Sequence, residues 1–154
     1  MLSDPTRVLI VEARTHVRIA DQLMAGARAA LTAARAEHEV VTAPGALAVP
    51  AVIALAEEGG HRPAGVRFDG YVALGCVIRG ETYRFEVVAG ESARALMDLA
   101  IGRRLAIGNG ILTVENEDQA LVRSRQGEGD MGGEAARACL AIIDLKRRLL
   151  GQAR

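Results

Sequence analysis

The sequence predicts an α/β fold, a three-layer sandwich in which a four-stranded parallel sheet is flanked by helices. Two observations lead to this prediction. Short β-branched and aliphatic runs such as RVLIVEA and GYVALGCVI have few polar breaks, which is typical of parallel strands buried on both faces. Between these runs, apolar residues recur at spacings of three and four, which indicates amphipathic helices that cover the sheet.

The first half of the chain contains two predicted strands and two predicted helices. Strand one spans Arg7 to Ala13, and a helix with an apolar face follows from Ile19 to Ala34. The run EVVTA, Glu39 to Ala43, predicts strand two. A second helix is predicted from Ala51 to Glu58, because the glycine pair that follows it is a typical C-terminal stop.

The second half repeats the alternation, after a polar segment rich in proline and glycine that predicts a surface loop. The predicted elements are strand three at Gly70 to Ile78, helix three at Arg84 to Ile101, strand four at Leu105 to Thr113, a helix at Val114 to Arg125 and a last helix at Glu134 to Leu150. Right-handed βαβ connections between parallel strands then give a flavodoxin-like arrangement. Ligands of such folds bind at the carboxyl ends of the strands.

Composition limits the classes of function. A chain of 154 residues that is 50% hydrophobic predicts one domain, residues 1–154. Nineteen basic residues balance nineteen acidic ones, so no overall charge favours nucleic acid or an anionic membrane, although a local phosphate pocket is compatible with it. An aromatic content of 3% is poor for stacking on successive bases. We therefore expect no nucleic-acid partner.

The sequence also predicts a soluble, cytoplasmic protein with no membrane association. Its apolar runs fall short of the ~20 residues that a membrane span needs, and its first residues, MLSDPTRV, lack the features of a secretory signal. Cys76 and Cys139 lie in apolar sequence without metal-ligand spacing. In a reducing compartment they are interpreted as buried thiols.

Four motifs, in order along the chain, carry a resemblance to a known family. They are PGALAVP at 44–50, ALGCVIRGETYRFEVV at 73–88, GILTVENEDQALVR at 110–123 and MGGEAARA at 131–138. Together they resemble the 6,7-dimethyl-8-ribityllumazine synthase (lumazine synthase) family, and the resemblance extends over the chain from Arg7. The second motif, a strand that ends in Val-Ile-Arg-Gly before a threonine and a helix start, is the most specific.

The resemblance implies a transferase of riboflavin biosynthesis. The family condenses 5-amino-6-ribitylamino-uracil with 3,4-dihydroxy-2-butanone 4-phosphate, giving 6,7-dimethyl-8-ribityllumazine, water and inorganic phosphate, without cofactor or metal. It also implies a homo-pentamer with active sites between adjacent subunits. The expected partners are therefore small-molecule substrates or inorganic phosphate and further copies of the chain, with a larger assembly also possible.

The resemblance assigns site residues by position. Phosphate would bind at the turn after strand three and at an arginine from the neighbouring subunit: Gly80, Glu81, Thr82 and Arg123. The ring and ribityl chain would contact three strand-end residues and positions on neighbouring loops and on strand four: Cys76, Val77, Ile78, Thr15, Ala46, Leu47, Ala48 and Asn109. Backbone amides at a helix start suit an anion, and backbone contacts to the ring tolerate side-chain variation.

Four positions depart from the family pattern. Arg84 stands where the family has the histidine taken as its proton shuttle, and a guanidinium that stays protonated cannot act as a general base. Thr15 replaces a stacking phenylalanine, Ala48 a glutamate that holds ribityl hydroxyls, and Met131 a lysine near the phosphate. His16 could substitute as a shuttle, although a histidine in a loop is more often a surface residue.

These departures leave two hypotheses. The first is a lumazine synthase whose activity is impaired by the replaced residues, with Arg84 non-functional as a shuttle. The alternative is a catalytically inactive scaffold, paralogous or engineered, that acts as a pentameric assembly subunit or binds a ligand. Turnover of the two substrates distinguishes these hypotheses.

Two further expectations concern assembly. Helix three, from Arg84 through Leu96, is predicted to line a fivefold interface, because Ala89, Ala93 and Leu96 exceed what one small core would bury. The link Ser124 to Asp130 carries acidic residues where shell-forming relatives are basic or neutral. We therefore expect a free pentamer, or two pentamers face to face, rather than a closed shell.

Overall fold

A computed structural model describes residues 4–151. The four strands are β1 (Arg7–Ala13), β2 (Glu37–Ala43), β3 (Gly70–Ile78) and β4 (Ile107–Val114). The five helices are α1 (Val17–Ala33), α2 (Val49–Gly60), α3 (Arg84–Gly102), α4 (Glu117–Ser124) and α5 (Met131–Leu149), with a short 3₁₀ turn at Ala46–Ala48 before α2. Among these residues, no helix is both long and apolar enough to cross a membrane.

The strands form one parallel sheet in the order β2-β1-β3-β4. β1 and β3 pair with strands on both sides, and every residue of β1 after Arg7 is buried, as expected for a central parallel strand. β2 lies at an edge and is largely exposed. The predicted four-stranded, flavodoxin-like α/β sandwich is confirmed, and this topology brings the carboxyl ends of β1 and β3 together at one edge of the sheet.

Two apolar cores cover the two faces of the sheet. Ile10, Leu23 and Cys139 belong to the core between the sheet and helices α1, α4 and α5. Leu9 and Leu96 belong to the other core, beneath α2 and α3. Both cores are formed by alternate residues of the same strands, because successive side chains of a strand point to opposite faces.

The prediction that Leu96 is surplus apolar surface was wrong. Leu96 is 3% exposed and packs in the core of its own chain, while Ala89 is half-buried and Ala93 is exposed. The large apolar side chains that α3 does expose are Val87, Met97 and Ile101. A role of α3 in a fivefold interface stays a prediction, and these three residues would have to support it.

Helix boundaries differ from prediction by a few residues. α2 ends at the predicted glycine pair, with Gly60 as its last residue, and it begins at Val49, two residues earlier than predicted. α5 begins at Met131 and not at Glu134, with Asp130 as its N-cap: the Asp130 carboxylate accepts a hydrogen bond from the Gly133 amide at 3.3 Å. α4 begins later than predicted, at Glu117, because Asn116 caps it.

The glycines at the start of α5 are packing positions. A Cβ atom on Gly132 would lie 2.0 Å from the carbonyl oxygen of Leu23 in α1. A Cβ atom on Gly108 in β4 would lie 1.8 Å from the carbonyl oxygen of Ala135 in α5. Glycine therefore lets α5 approach both α1 and the sheet with direct backbone contact.

Candidate active site at the carboxyl ends of the strands

A pocket of about 440 Å³ lies at the carboxyl ends of β1, β2 and β3. The loop after β1, the loop between β2 and the 3₁₀ turn, the end of β3 and the start of α3 all contribute to it. Its lining residues are Thr15, His16, Pro44, Gly45, Ala46, Leu47, Cys76, Val77, Ile78, Gly80, Thr82, Arg84, Phe85 and Val88. A sheet of this topology has its natural ligand crevice at this edge.

Most of the site residues taken from the resemblance lie around this one pocket. They are Thr15, Ala46, Leu47, Cys76, Val77, Ile78, Gly80, Thr82 and Arg84. The segments involved are distant in sequence, and the parallel topology brings them together because each follows the carboxyl end of a strand or opens the helix after it. Their individual roles stay predictions.

Four predicted site residues do not line the pocket of the single chain. Ala48 is half-buried and packs against the core beneath α2 and α3, and Glu81 is exposed in the turn after β3. Asn109 is exposed on the edge strand β4, where its Oδ1 accepts a hydrogen bond from the Ile111 amide at 3.0 Å. Arg123 is exposed on α4 and donates to the carbonyl oxygen of Gln119 at 3.2 Å. Within one chain, Asn109 and Arg123 therefore lie outside this pocket.

The turn between β3 and α3 is built to present backbone amides. Thr82 Oγ1 accepts a hydrogen bond from the Arg84 amide at 3.3 Å, and the side chain of the N-cap residue, Tyr83, makes no capping hydrogen bond. The first amides of a helix lack intrahelical partners, and the helix dipole places partial positive charge beside them. An anion in the pocket next to Gly80 and Thr82 would meet this charge.

Arg79 holds this turn in place, a function that sequence reasoning did not assign. Its guanidinium pairs with Glu86 at 2.7 Å and with Glu115 at 2.9 Å, so it links the start of α3 to the end of β4. It also stacks over the Phe85 ring. The hydrogen bond that Arg79 donates to Glu115, and then the one that it donates to Glu86, raise the pKa of Arg79 above its usual value.

Three side chains that line the pocket can ionise: His16, Cys76 and Arg84. Burial, followed by the nearby Glu117 carboxylate, raises the pKa of Cys76 to about 11, so the thiol is protonated near neutral pH. Arg84 is an exposed cation. A guanidinium and a neutral thiol do not accept protons readily, and His16 is the remaining ionisable side chain of the pocket.

His16 is half-buried and is the N-cap residue of α1. It therefore occupies a more defined position than the surface loop residue that sequence reasoning favoured. Cys76 and Cys139 are both buried and free, which confirms their interpretation as buried thiols. Within residues 4–151, no group of three or more potential metal ligands comes together.

A sequence model of the 6,7-dimethyl-8-ribityllumazine synthase family matches residues 5–147. The chain belongs to this family. It is 59% identical over 145 residues to 6,7-dimethyl-8-ribityllumazine synthase 1 of Rhizobium meliloti (strain 1021), covering 94% of both chains. It is 57% identical over 141 residues to the 6,7-dimethyl-8-ribityllumazine synthase of Bartonella tribocorum, covering 92% of this chain and 90% of that one. The corresponding enzyme of Agrobacterium fabrum is 56% identical over 144 residues, which are 94% of this chain and 97% of the relative.

The lumazine synthase match spans every residue that lines the pocket. Phe85 and Val88 are pocket residues that sequence reasoning missed. They lie three residues apart near the start of α3, and this spacing places both on one face of the helix. That face lines the pocket. The helical spacing was visible in the sequence, but the direction of this face became clear only from the packing of α3 on the sheet.

Proposed function

We propose that this chain is a 6,7-dimethyl-8-ribityllumazine synthase of riboflavin biosynthesis in which proton transfer is impaired. The observation that supports this proposal most directly is the pocket itself. It combines a helix start suited to an anion with the strand end at Cys76 to Ile78, and it is lined by Arg84, the residue at the position of the family's histidine. In this proposal the pocket keeps the phosphate-binding turn and the strand end that faces the pyrimidine, and it lacks an efficient base.

The phosphate of 3,4-dihydroxy-2-butanone 4-phosphate would bind beside Gly80 and Thr82. Backbone amides and the helix dipole provide a preorganised site there, and Arg84 adds a positive charge at the same rim. Arg123 would complete the site from an adjacent subunit of a homo-pentamer, because within one chain it lies on the exposed surface of α4.

The pyrimidine of 5-amino-6-ribitylamino-uracil would lie against the strand end, with Ala46 and Leu47 on the opposite loop. Thr15 offers this ring a small hydroxyl side chain and no aromatic face. Ala48 has no oxygen with which to hold the ribityl hydroxyls. Binding of this substrate is therefore expected to be weaker than in a relative that has phenylalanine and glutamate at these positions.

Proton transfer is the step with the largest expected loss. Imine formation and phosphate elimination both require protons to move, and a positioned general acid–base is typically worth ~100- to 10,000-fold in rate. Arg84 can donate hydrogen bonds and stabilise negative charge, but it cannot cycle a proton near neutral pH. Residual turnover would depend on His16, because its imidazole can both accept and donate a proton there.

The second candidate function is a catalytically inactive scaffold. The four departures from the family pattern favour it, because they fall together on substrate-binding and proton-transfer positions while the scaffold motifs are kept. Such a chain would still fold and form a pentamer, and its pocket could hold phosphate or another ligand. The two candidates predict different responses to restoring the histidine.

The deciding experiment measures lumazine absorbance from the two substrates with the full chain and with Arg84→His. We expect slow turnover that Arg84→His raises by about 100-fold or more, and that Ala48→Glu in addition raises further by lowering the KM for the ribityl substrate. Arg94→His is the matched control, because Arg94 lies on the same helix in exposed ion pairs with Glu91 and Asp98. It should leave the rate unchanged.

His16→Gln should remove the remaining turnover of the unaltered chain. If the unaltered chain turns over as fast as the Rhizobium relative, the impairment is refuted. If Arg84→His and Arg84→His/Ala48→Glu are both inactive while light scattering shows a pentamer, the scaffold function replaces the enzymatic one.

A further inference from the structure

A second cavity of about 410 Å³ lies at the opposite edge of the sheet, where β3 and β4 begin. It is within the range of roughly 300–1,000 Å³ that is typical of small-molecule sites. The loop before β3, the segment between α3 and β4, and the last turn of α5 form its walls. Cationic side chains dominate this wall: Arg67, Arg103, Arg104, Lys146 and Arg147.

The two carboxylates that line this cavity are already engaged. Asp69 pairs with Arg147 at 3.6 Å, and its Oδ2 accepts a hydrogen bond from the Arg7 amide at 2.9 Å. Glu57 accepts a hydrogen bond from the Tyr71 hydroxyl at 2.7 Å and lies 3.1 Å from the imidazole of His61. Neither carboxylate is paired with the remaining four cations.

Those four cations are Arg67, Arg103, Arg104 and Lys146, and none of them forms an ion pair with another residue in the range 4–151. The carboxyl ends of α2, α3 and α5 also face the cavity, and each contributes about half a negative charge. Five cations face the carboxylates of Glu57 and Asp69, which leaves a surplus of three full positive charges, and this surplus exceeds the partial charges of the helix ends. The cavity therefore has a net positive potential, although the chain as a whole is neutral.

Helix stabilisation explains only part of this cluster. A cation in the last turn of a helix interacts favourably with the dipole, which accounts for Lys146 and Arg148 in α5. Arg67 and Arg104 lie outside helices, so the dipole does not account for them. Arg104 also has a φ of 55°, a left-handed conformation that favours glycine, and yet an arginine holds the position.

The floor of the cavity is apolar. Tyr71, Leu105 and Ile143 are buried beneath it, and Phe68 is half-buried at its side with its ring centroid 6.1 Å from that of Tyr71. A ring or apolar group of a ligand could pack against Phe68, while its charged groups meet the cations. The arrangement combines a cationic wall with an apolar contact surface.

We propose that this cavity binds a small organic diphosphate, with its phosphate groups held by Arg67, Arg103, Arg104 and Lys146 and its organic part against Phe68. Four cationic side chains supply more hydrogen-bond donors than one phosphate group can accept from. The guanidinium groups can bind phosphate oxygens in bidentate pairs, and Lys146 adds a point charge. This site is independent of the pocket at the carboxyl ends of the strands.

Isothermal titration calorimetry on the full chain at ~0.15 M salt, with inorganic pyrophosphate and with ADP as probes, tests this proposal. We expect saturable binding of both, with ADP at least fivefold tighter. Lys146→Gln should weaken both at least fivefold, and Arg104→Gln/Lys146→Gln should abolish measurable binding. Arg148→Gln is the matched control, since Arg148 lies two residues along the same helix and does not line the cavity, and it should change affinity less than twofold.

Two more variants locate the bound groups. Phe68→Leu should reduce the preference for ADP while pyrophosphate affinity is retained, and Thr82→Ala should affect neither probe. Absence of saturable binding, or equal weakening by Lys146→Gln and Arg148→Gln, would overturn the proposal. Equal affinity for ADP and pyrophosphate would overturn its organic part, and loss of binding in Thr82→Ala would assign the anion to the other pocket. None of these results depends on whether the chain forms lumazine.

Discussion

The guanidinium carbon of Arg79 lies 4.4 Å from the centroid of the Phe85 ring. The same guanidinium pairs with Glu86 in α3 and with Glu115 after β4, so one side chain joins three segments at the rim of the candidate active site. A planar, charged group can stack and form ion pairs at the same time, which a lysine ammonium cannot do equally well.

Arg79→Ala should lower the Tm and should weaken phosphate binding at the turn before α3, because the turn loses its link to β4. Thermal unfolding and phosphate titration measure the two effects, and both should shrink in 1 M salt, since exposed pairs are screened. Arg94→Ala is the control, because its ion pairs with Glu91 and Asp98 lie within α3. An equal effect of both variants would show that Arg79 does not join the segments.

Asn116 caps α4 by accepting a hydrogen bond from the Gln119 amide at 2.9 Å. Asn116→Ala should lower the free energy of unfolding by about 1 kcal/mol, as loss of a helix cap usually does. Asn116→Asp keeps an acceptor and should be close to neutral. Denaturant unfolding with an unchanged m-value would measure this difference, and a neutral alanine variant would show that the cap is dispensable.

Gly108 and Gly90 predict opposite responses to alanine. A Cβ atom on Gly108 would lie 1.8 Å from the Ala135 carbonyl oxygen, so Gly108→Ala must displace α5 and should cost about 3 kcal/mol or more. Apart from its chain neighbours and the backbone of its own helix, no atom lies within 4 Å of such a Cβ on Gly90 in α3, and Gly90→Ala should stabilise the protein by about 0.5 to 1 kcal/mol. Denaturant unfolding of both variants tests this, and tolerance of alanine at Gly108 would contradict the backbone contact.

The buried thiols predict a loss of stability in alkali. Burial raises the pKa of Cys139 to about 12 and that of Cys76 to about 11, from an ordinary value of 9.0. A raised folded-state pKa in an acid means that the folded state holds the proton longer than the unfolded state does. The stabilisation is fully present below pH 9 and is lost as the pH rises toward 11 and 12, by at most ~1.4 kcal/mol per pH unit for each thiol.

Chemical unfolding between pH 8 and pH 11 should therefore show a shallower decline for Cys139→Ala than for the unaltered chain. The slopes are compared, and not the absolute stabilities, because the alanine variant also leaves a cavity. Identical slopes would contradict the raised pKa of this thiol.

Strands and helices were predicted most accurately where a single feature of the sequence, such as a continuous apolar run, defined them. The boundaries of β1 and β3 were confirmed at both ends, because a strand buried on both faces is a continuous apolar run bounded by polar or glycine residues. The start of α5 was misplaced because Gly132 and Gly133 read locally as helix breakers. Their role depends on the approach of the α1 backbone, which has no local signal in the sequence.

The candidate site was predictable to a similar extent. Residues that follow strand ends in one chain, such as Ala46 and Thr82, share the pocket because topology alone places them there. Asn109 and Arg123 do not line this pocket, and for Arg123 the predicted role already placed it on a neighbouring subunit. The cationic cavity was not anticipated, because its arginines come from three segments that are far apart in sequence and carry no motif.

The central position of β1 has a consequence for how the chain folds. β1 pairs with β2 on one side and with β3 on the other, and α1, β2 and α2 all lie between β1 and β3 in sequence. The second pairing therefore requires closure of a long loop, which costs chain entropy before its contacts form. During synthesis, β1 can pair with β2 first, and its other hydrogen-bonding edge stays unpaired until β3 has been synthesised. If translation is stalled before Ile78 has left the ribosomal tunnel, a protease should accordingly still digest the nascent chain. If translation is stalled well after Ile78 has left the tunnel, the N-terminal half of the chain should resist the protease.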